Sequence, residues 1–292
     1  MKQTQFARRR KRAAAEKQIC PPRAQEVFMY IDRRRLKEEA KSVLQGASVS
    51  PIAITALYLA ICLGLDTLDS VVSGGAVAVL SGAGMLPTFI TIFVYLVELV
   101  LGMGLTVYCL GVRHSVHMEL STLFDGFSFV GKIILLFLLE GVFISLWSML
   151  FFFPGIVAMY RYRFAFYNLC EDPSLSAFDA LNMSKRQTMG YKLSLLTLDF
   201  SFIGWGFLMT LPYTVVNSMI LNDVALPLSL PVLTVICGVL SGLVALWVRP
   251  YLITTNLGYF ELAKASSGVG RGFGGADPLG GGSGEPWDSD TL

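Results

Sequence analysis

The stretch IILLFLLEGVFISLWSMLFFFPGIVAMY (133–160) decides how this chain is arranged. It is apolar almost throughout, broken by Glu140 and by the pair Pro154-Gly155, and Arg161 and Arg163 follow at once. As a single membrane crossing it would leave Arg161, Arg163, Lys185, Arg186 and Lys192 on the outer side, where every other assigned segment lacks Lys and Arg. Basic residues are held on the cytoplasmic side of a bilayer, so the single crossing conflicts with the charge pattern. A tight hairpin removes the conflict: a third span over 133–153, a turn at Pro154 and Gly155, and a fourth span over 156–170. The fourth is at the short end of what bridges a hydrocarbon layer of about 30 Å.

The same reasoning orders the chain outward from the hairpin. The first span runs from 51 to 66 or a little beyond, and 66–87, with Gly and Ser but no Lys or Arg, fits an external loop. The second, over 88–111, carries Glu98 and returns to Arg113, His114, His117 and Lys132, which puts 113–132 on the cytoplasmic face. The segment 171–192 is a second cytoplasmic loop. The fifth span covers 193–220, with a kink expected at Pro212, because proline removes a backbone donor and collides with the preceding turn. After a short external turn over 221–230 the sixth runs over 231–248 and exits at Arg249 and Pro250. Gly238 and Gly242 within it have the four-residue spacing that lets helices approach closely. The expected fold is all-α: a polytopic transmembrane helix bundle of about six spans, with its membrane domain over 51–264.

Composition agrees. Of 292 residues 54% are hydrophobic and 15% charged, against roughly 25% charged in a soluble domain, and the mean hydropathy is +0.60. The five cysteines, Cys20, Cys62, Cys109, Cys170 and Cys237, are scattered singly and mostly within apolar stretches. They read as small core residues, not as a disulfide framework or a zinc site.

More than half of the 23 Lys and Arg lie in residues 1–50, which contain no window apolar enough to enter a bilayer, and both termini are expected in the cytoplasm. Within this region Asp32 can cap a helix ending at Gly46, with Leu36, Ala40, Val43 and Leu44 on one face. The expectation over 29–50 is an amphipathic helix on the inner membrane surface, with the basic region drawn to anionic headgroups. Residues 1–28 form a basic extension. Gln25, Glu26 and Val27 can be encoded by a ribosome-binding sequence just upstream of Met29, which makes Met29 a candidate start. At the other end, 265–292 is Gly-rich with almost nothing to bury, and disorder is expected there.

RRRLKEEAKSVLQG (33–46), FFPGIVAMYRYRFAFYNLCEDPSLSAFDALNMSKRQTMGYK (152–192) and LDFSFIGW (198–205), with the spacing of the spans, resemble a family of bacterial membrane proteins catalogued as domain of unknown function 975. The likeness extends over about 29–264. More distantly, the PG turn and the arginine after it are similar to the membrane domains attached to some glycerophosphodiester phosphodiesterases. The resemblance implies a multi-pass protein of a bacterial plasma or inner membrane and brings no established activity.

Motifs for chemistry are sparse. His114 and His117, with Glu119 nearby, lack the third ligand that zinc requires, and read as polar residues at a membrane edge. HExxH, GxSxG, Walker and dinucleotide-binding motifs are absent from the sequence, so no cofactor is implied and an enzyme is disfavoured. ARRRKR (7–12) lacks the interleaved aromatics of a nucleic-acid-binding patch. The aromatics of MYRYRFAFY fit an interfacial belt better than a ligand box.

The informative residues are charges inside the spans, Glu98, Glu140, Arg161, Arg163 and Asp199. Each costs about 2.5–3.5 kcal/mol at mid-bilayer unless paired or facing water. At 1.5 Å per residue, Glu140, Arg163 and Asp199 lie roughly 10–12 Å from the cytoplasmic side and Glu98 and Arg161 roughly 15–20 Å. Matching depth permits Arg163 to pair with Glu140 or Asp199, and Arg161 with Glu98. Two functions follow as expectations: binding or movement of a small or lipid-like solute through this polar cluster, or a scaffold that recruits an unidentified partner through Lys185, Arg186 and Lys192. An intramembrane enzyme acting on lipid headgroups is a third.

Overall fold

The computed structural model describes residues 33–74, 84–222, 224–225 and 227–267, and among these the regular structure is helical throughout. Four helices are long and apolar enough to cross a membrane, or five if a bent pair counts as one span. Asp32, residues 1–28 and the Gly-rich tail from 268 onward lie outside the described residues.

Helix α1 (Arg33–Gln45) ends where Gly46 donates its N–H to the carbonyls of Ser42 and Val43, 3.2 Å from each. Leu36 and Ala40 share a face by their four-residue spacing, and both are buried. That face meets protein: Leu36 belongs to the core with Leu257, Tyr259 and Phe260, which corrects the expectation of an apolar face laid on lipid.

Helices α2 (Pro51–Val72) and α3 (Met85–Arg113) form an adjacent pair. Pro51 sits at the first helical position, where a missing N–H costs no hydrogen bond. Because α2 continues to Val72, Asp66 and Asp69 are helical residues and not the start of an external loop.

A 3-10 segment, Leu120–Phe129, leads directly into α4 (Val130–Leu150), and the chain then reverses at Phe151, whose backbone is extended. Pro154 and Gly155 lie in the first turn of α5 (Phe152–Tyr162). The reversal therefore comes three residues before the expected turn, which suits proline, since the first turn of a helix has no partner for its N–H. Gly155 brings the two arms into contact, for a Cβ there would lie 2.1 Å from Ser148 Oγ. At the far end Lys132 Nζ donates to the carbonyls of Pro173 (2.6 Å) and Ser174 (3.0 Å), so the arms run antiparallel along their length. The returning arm is not one helix over 156–170 but two, α5 and α6 (Ala165–Glu171), with a turn at Arg163 and Phe164. Side chains of the next helix satisfy the freed groups. The Arg161 carbonyl accepts from Ser184 Oγ (2.9 Å) and Thr188 Oγ1 (3.2 Å), and the Phe164 N–H donates to Ser184 Oγ (3.1 Å).

After α6, Asp172 accepts from the N–H and hydroxyl of Ser174 (2.9 and 2.6 Å), which holds its carboxyl below the usual carboxylate range. Helix α7 (Ala177–Gln187), capped by Ser176, occupies the segment read as a loop. Ala177, Ala180, Leu181, Ser184 and Gln187 are buried, and the amides of Asn168 and Gln187 exchange two hydrogen bonds of 2.9 and 2.8 Å.

Helices α8 (Lys192–Phe200) and α9 (Ile203–Leu221) are bent by 56° at Ser201 and Phe202, and α9 passes through Pro212 without a break. The bend falls upstream of the proline because the side chains there are held. Phe202 is buried edge-on against Tyr251 at 5.6 Å, and its N–H turns back to Asp199.

Helix α10 (Leu230–Ser267) has 38 residues, about 57 Å at 1.5 Å each, close to twice a hydrocarbon layer. It runs through Pro250, where the sequence reading ended the sixth span. An interior proline costs about 3 kcal/mol, whereas burying one large apolar side chain gains about 1.5–3 kcal/mol. Beyond Pro250, Leu257, Tyr259 and Phe260 are completely buried, which outweighs the lost donor. This helix packs on α1, α2, α3, α7 and α9 and is the axis of the bundle.

Candidate functional site

Two polar clusters stand inside the bundle. In the first, Arg163, at the turn between α5 and α6, reaches Asp199 near the end of α8. Its Nη2 donates to Oδ1 at 2.7 Å, and its Nη1 to Oδ2. Tyr160 adds its hydroxyl to Oδ2 at 2.7 Å, and Asn256 of α10 accepts from Nη2 at 3.1 Å. Both carboxylate oxygens and the guanidinium fork are thus occupied, so this cluster is a brace tying the broken arm to α8 and α10.

The second cluster surrounds a cavity of about 250 Å³ between α2, α3, α9 and α10, whose polar lining is Tyr58, Asp66, Glu98, Tyr213, Ser241 and Arg249. The carboxyl groups of Asp66 and Glu98 come within hydrogen-bonding reach of one another. Two carboxyl groups so close in a low dielectric favour a positively charged partner. Glu98 Oε1 is buried and meets no hydrogen-bond partner among the described residues, and the same holds for Ser241 Oγ. Arg249 lies over the Tyr58 ring at 4.5 Å and within electrostatic reach of Glu98, but forms no hydrogen bond or ion pair among the described residues. One helical turn beyond Asp66, Asp69 accepts from Thr91 (2.9 Å) and from Ser73, carrying the polar line toward the far end of α2. Gly238 gives close packing beside the cavity: a Cβ would stand 2.2 Å from Leu63 Cδ1 and 3.2 Å from the Tyr213 hydroxyl, so either side chain would have to shift.

The residues singled out from sequence divide between these places. Arg163 and Asp199 are together, while Glu98 belongs to the cavity, with Arg249 and not Arg161 near it. The Arg161 side chain and the half-buried Glu140 make no hydrogen bond or ion pair among the described residues. Lys185 donates to Asn182 (3.0 Å) and lies over the rings of Tyr162 and Phe143, Arg186 is exposed, and Lys192 begins α8.

Asp66 and Arg249 were missed because a charge near the end of an apolar run reads as its boundary. The available signal was a stripe on α2 at helical spacing, Tyr58, Cys62, Asp66, Asp69 and Ser73.

At the end of the bundle where α1 packs, Arg113 is 7% exposed and joins Glu261 of α10 and Glu39 of α1, both at 2.6 Å, with His114 at 3.2 Å from Glu261. Lys264 pairs with Glu171 at 2.7 Å. Among the described residues no group of three His, Cys, Asp or Glu is placed to hold a metal ion.

Residues 154–267 match the family described as Protein of unknown function (DUF975), a region that begins at the PG turn and ends with α10. It includes the 152–192 and 198–205 stretches almost entirely, while 33–46 lies outside it. No curated protein and no solved structure matches the chain.

Proposed function

We propose that this membrane protein, with its DUF975 region, binds a small polar solute in the cavity between α2, α3, α9 and α10. Ionisable groups within membrane spans that face a cavity are functional before they are structural, because lipid would not tolerate them. The observation that carries the reading is the state of these groups: buried Glu98 Oε1 has no partner among the described residues, and Arg249 makes no hydrogen bond there. Such groups cost free energy unless something fills the space between them.

The test is thermal unfolding of the full chain in nanodiscs against a panel of small polar solutes, comparing wild type with Gly238→Leu, which pushes a side chain toward Leu63 and Tyr213. A solute that stabilises wild type and fails on Gly238→Leu supports the site. Equal response of the two proteins to every solute contradicts it.

The same reading places the protein in a bacterial plasma membrane, with both termini and the 113–132 and 171–192 segments in the cytoplasm and the basic N-terminal region near anionic headgroups. A cysteine at the exposed Ser176 position, in a cysteine-free background, should resist an impermeant external reagent in intact cells. Labelling from outside would overturn the orientation. The scaffold alternative gains less support, because α7 is packed into the bundle and Lys185 turns onto the rings of Tyr162 and Phe143.

A further inference from the structure

The cavity is not uniform in charge. Its lining includes the carboxyls of Asp66 and Glu98 and the guanidinium of Arg249, which is laid on Tyr58. An arginine and a glutamate free to meet in a low dielectric would form a bidentate pair, as Arg163 and Asp199 do. Arg249 and Glu98 instead line the same cavity, within electrostatic reach but with no hydrogen bond or ion pair between them. The volume equals about eight water molecules at roughly 30 Å³ each, room for a compact solute and too little for an acyl chain beside it.

From this arrangement we infer that the solute is a zwitterion: a compact molecule whose ammonium group is held by Asp66 and Glu98 and whose carboxylate or phosphate is held by Arg249. The inference rests on the solute-binding reading above and narrows it. A cation would satisfy the carboxyl pair and leave the guanidinium without a hydrogen bond, and an anion would do the reverse. A net-neutral, dipolar ligand adds no net charge to the low-dielectric interior. Tyr58 and Tyr213 offer hydroxyls along the same wall. The same chemistry is offered by a free zwitterion and by an ethanolamine phospholipid headgroup.

The experiment measures thermal stabilisation and equilibrium binding of the full chain in phosphatidylglycerol nanodiscs. The probes are the neutral α-amino acids and glycerophosphoethanolamine, set against methylammonium, acetate and dimethyl phosphate. At least one zwitterion should bind, with affinity at least tenfold above any half-molecule, and Glu98→Gln and Arg249→Gln should each weaken it at least tenfold. Replacing phosphatidylglycerol by phosphatidylethanolamine separates the two sources. Stabilisation by the lipid with no response to soluble zwitterions assigns the headgroup, and response to soluble zwitterions in phosphatidylglycerol assigns the free solute. If a half-molecule binds as tightly as the zwitterions, or only one of the two variants matters, the zwitterion inference falls while solute binding stands. If no probe or lipid stabilises the protein and Gly238→Leu responds as wild type does, both fall.

Discussion

The brace at Arg163 and the cavity at Arg249 contain the same inventory, an arginine, a carboxylate and a tyrosine, and dispose of it in opposite ways. At Arg163 both oxygens of Asp199 are engaged, and Tyr160 and Asn256 take up remaining hydrogen-bonding capacity. At Arg249 the guanidinium is laid on a ring, Glu98 has a buried oxygen with no partner among the described residues, and both line a cavity of about 250 Å³. A membrane interior penalises both kinds of group. One region has met that penalty within the fold, and the other has not. Polarity inside a span is therefore a poor guide to function until the hydrogen bonds are counted.

The comparison breaks most visibly if the brace is removed. Arg163→Ala or Asp199→Ala leaves a partly buried charge without its partner and should cost about 1–3 kcal/mol, below the figure for a fully buried pair because both side chains keep some exposure. Arg163→Glu should be worse alone and partly rescued by Asp199→Arg. Glu140→Arg should give no rescue, since Glu140 makes no hydrogen bond or ion pair with Arg163 among the described residues, and thermal unfolding of the single and paired variants reads both outcomes. A smaller effect is expected of Gly238→Leu: overpacking of about 1 kcal/mol, the low end of its usual range because flexible side-chain ends and the adjoining space can give, together with loss of solute-dependent stabilisation. Ser184→Ala comes last. It withdraws one hydroxyl from the carbonyl of Arg161 and the N–H of Phe164, at about 1 kcal/mol, because Thr188 still reaches that carbonyl.

The sequence carried the helical architecture, the hairpin and Asp199 as one of two candidate partners for Arg163 in legible form, because each depends on a local or one-dimensional quantity: hydropathy, the side on which Lys and Arg fall, or depth counted along a helix. It failed where packing between distant segments decides. Pro250 looks like a stop, yet Leu257, Tyr259 and Phe260 carry α10 beyond it. Pro212 looks like a kink, yet the bend sits at Ser201 and Phe202, where Asp199 and Phe202 are anchored. Asp66 and Arg249 were lost in the same way. Once the spans were cut short at these residues, their meeting with Glu98 had no one-dimensional trace except the polar stripe on α2.

The most direct test of the division between brace and cavity is the melting temperature of Arg163→Gln and Glu98→Gln measured side by side in the same nanodiscs, without added solute. Removing a satisfied charge strands its partner, whereas neutralising an unsatisfied one relieves a cost. Arg163→Gln should melt several degrees below wild type, at about 2–4 °C per kcal/mol lost, and Glu98→Gln should melt at or above wild type. A large fall for Glu98→Gln with little change for Arg163→Gln would contradict the account.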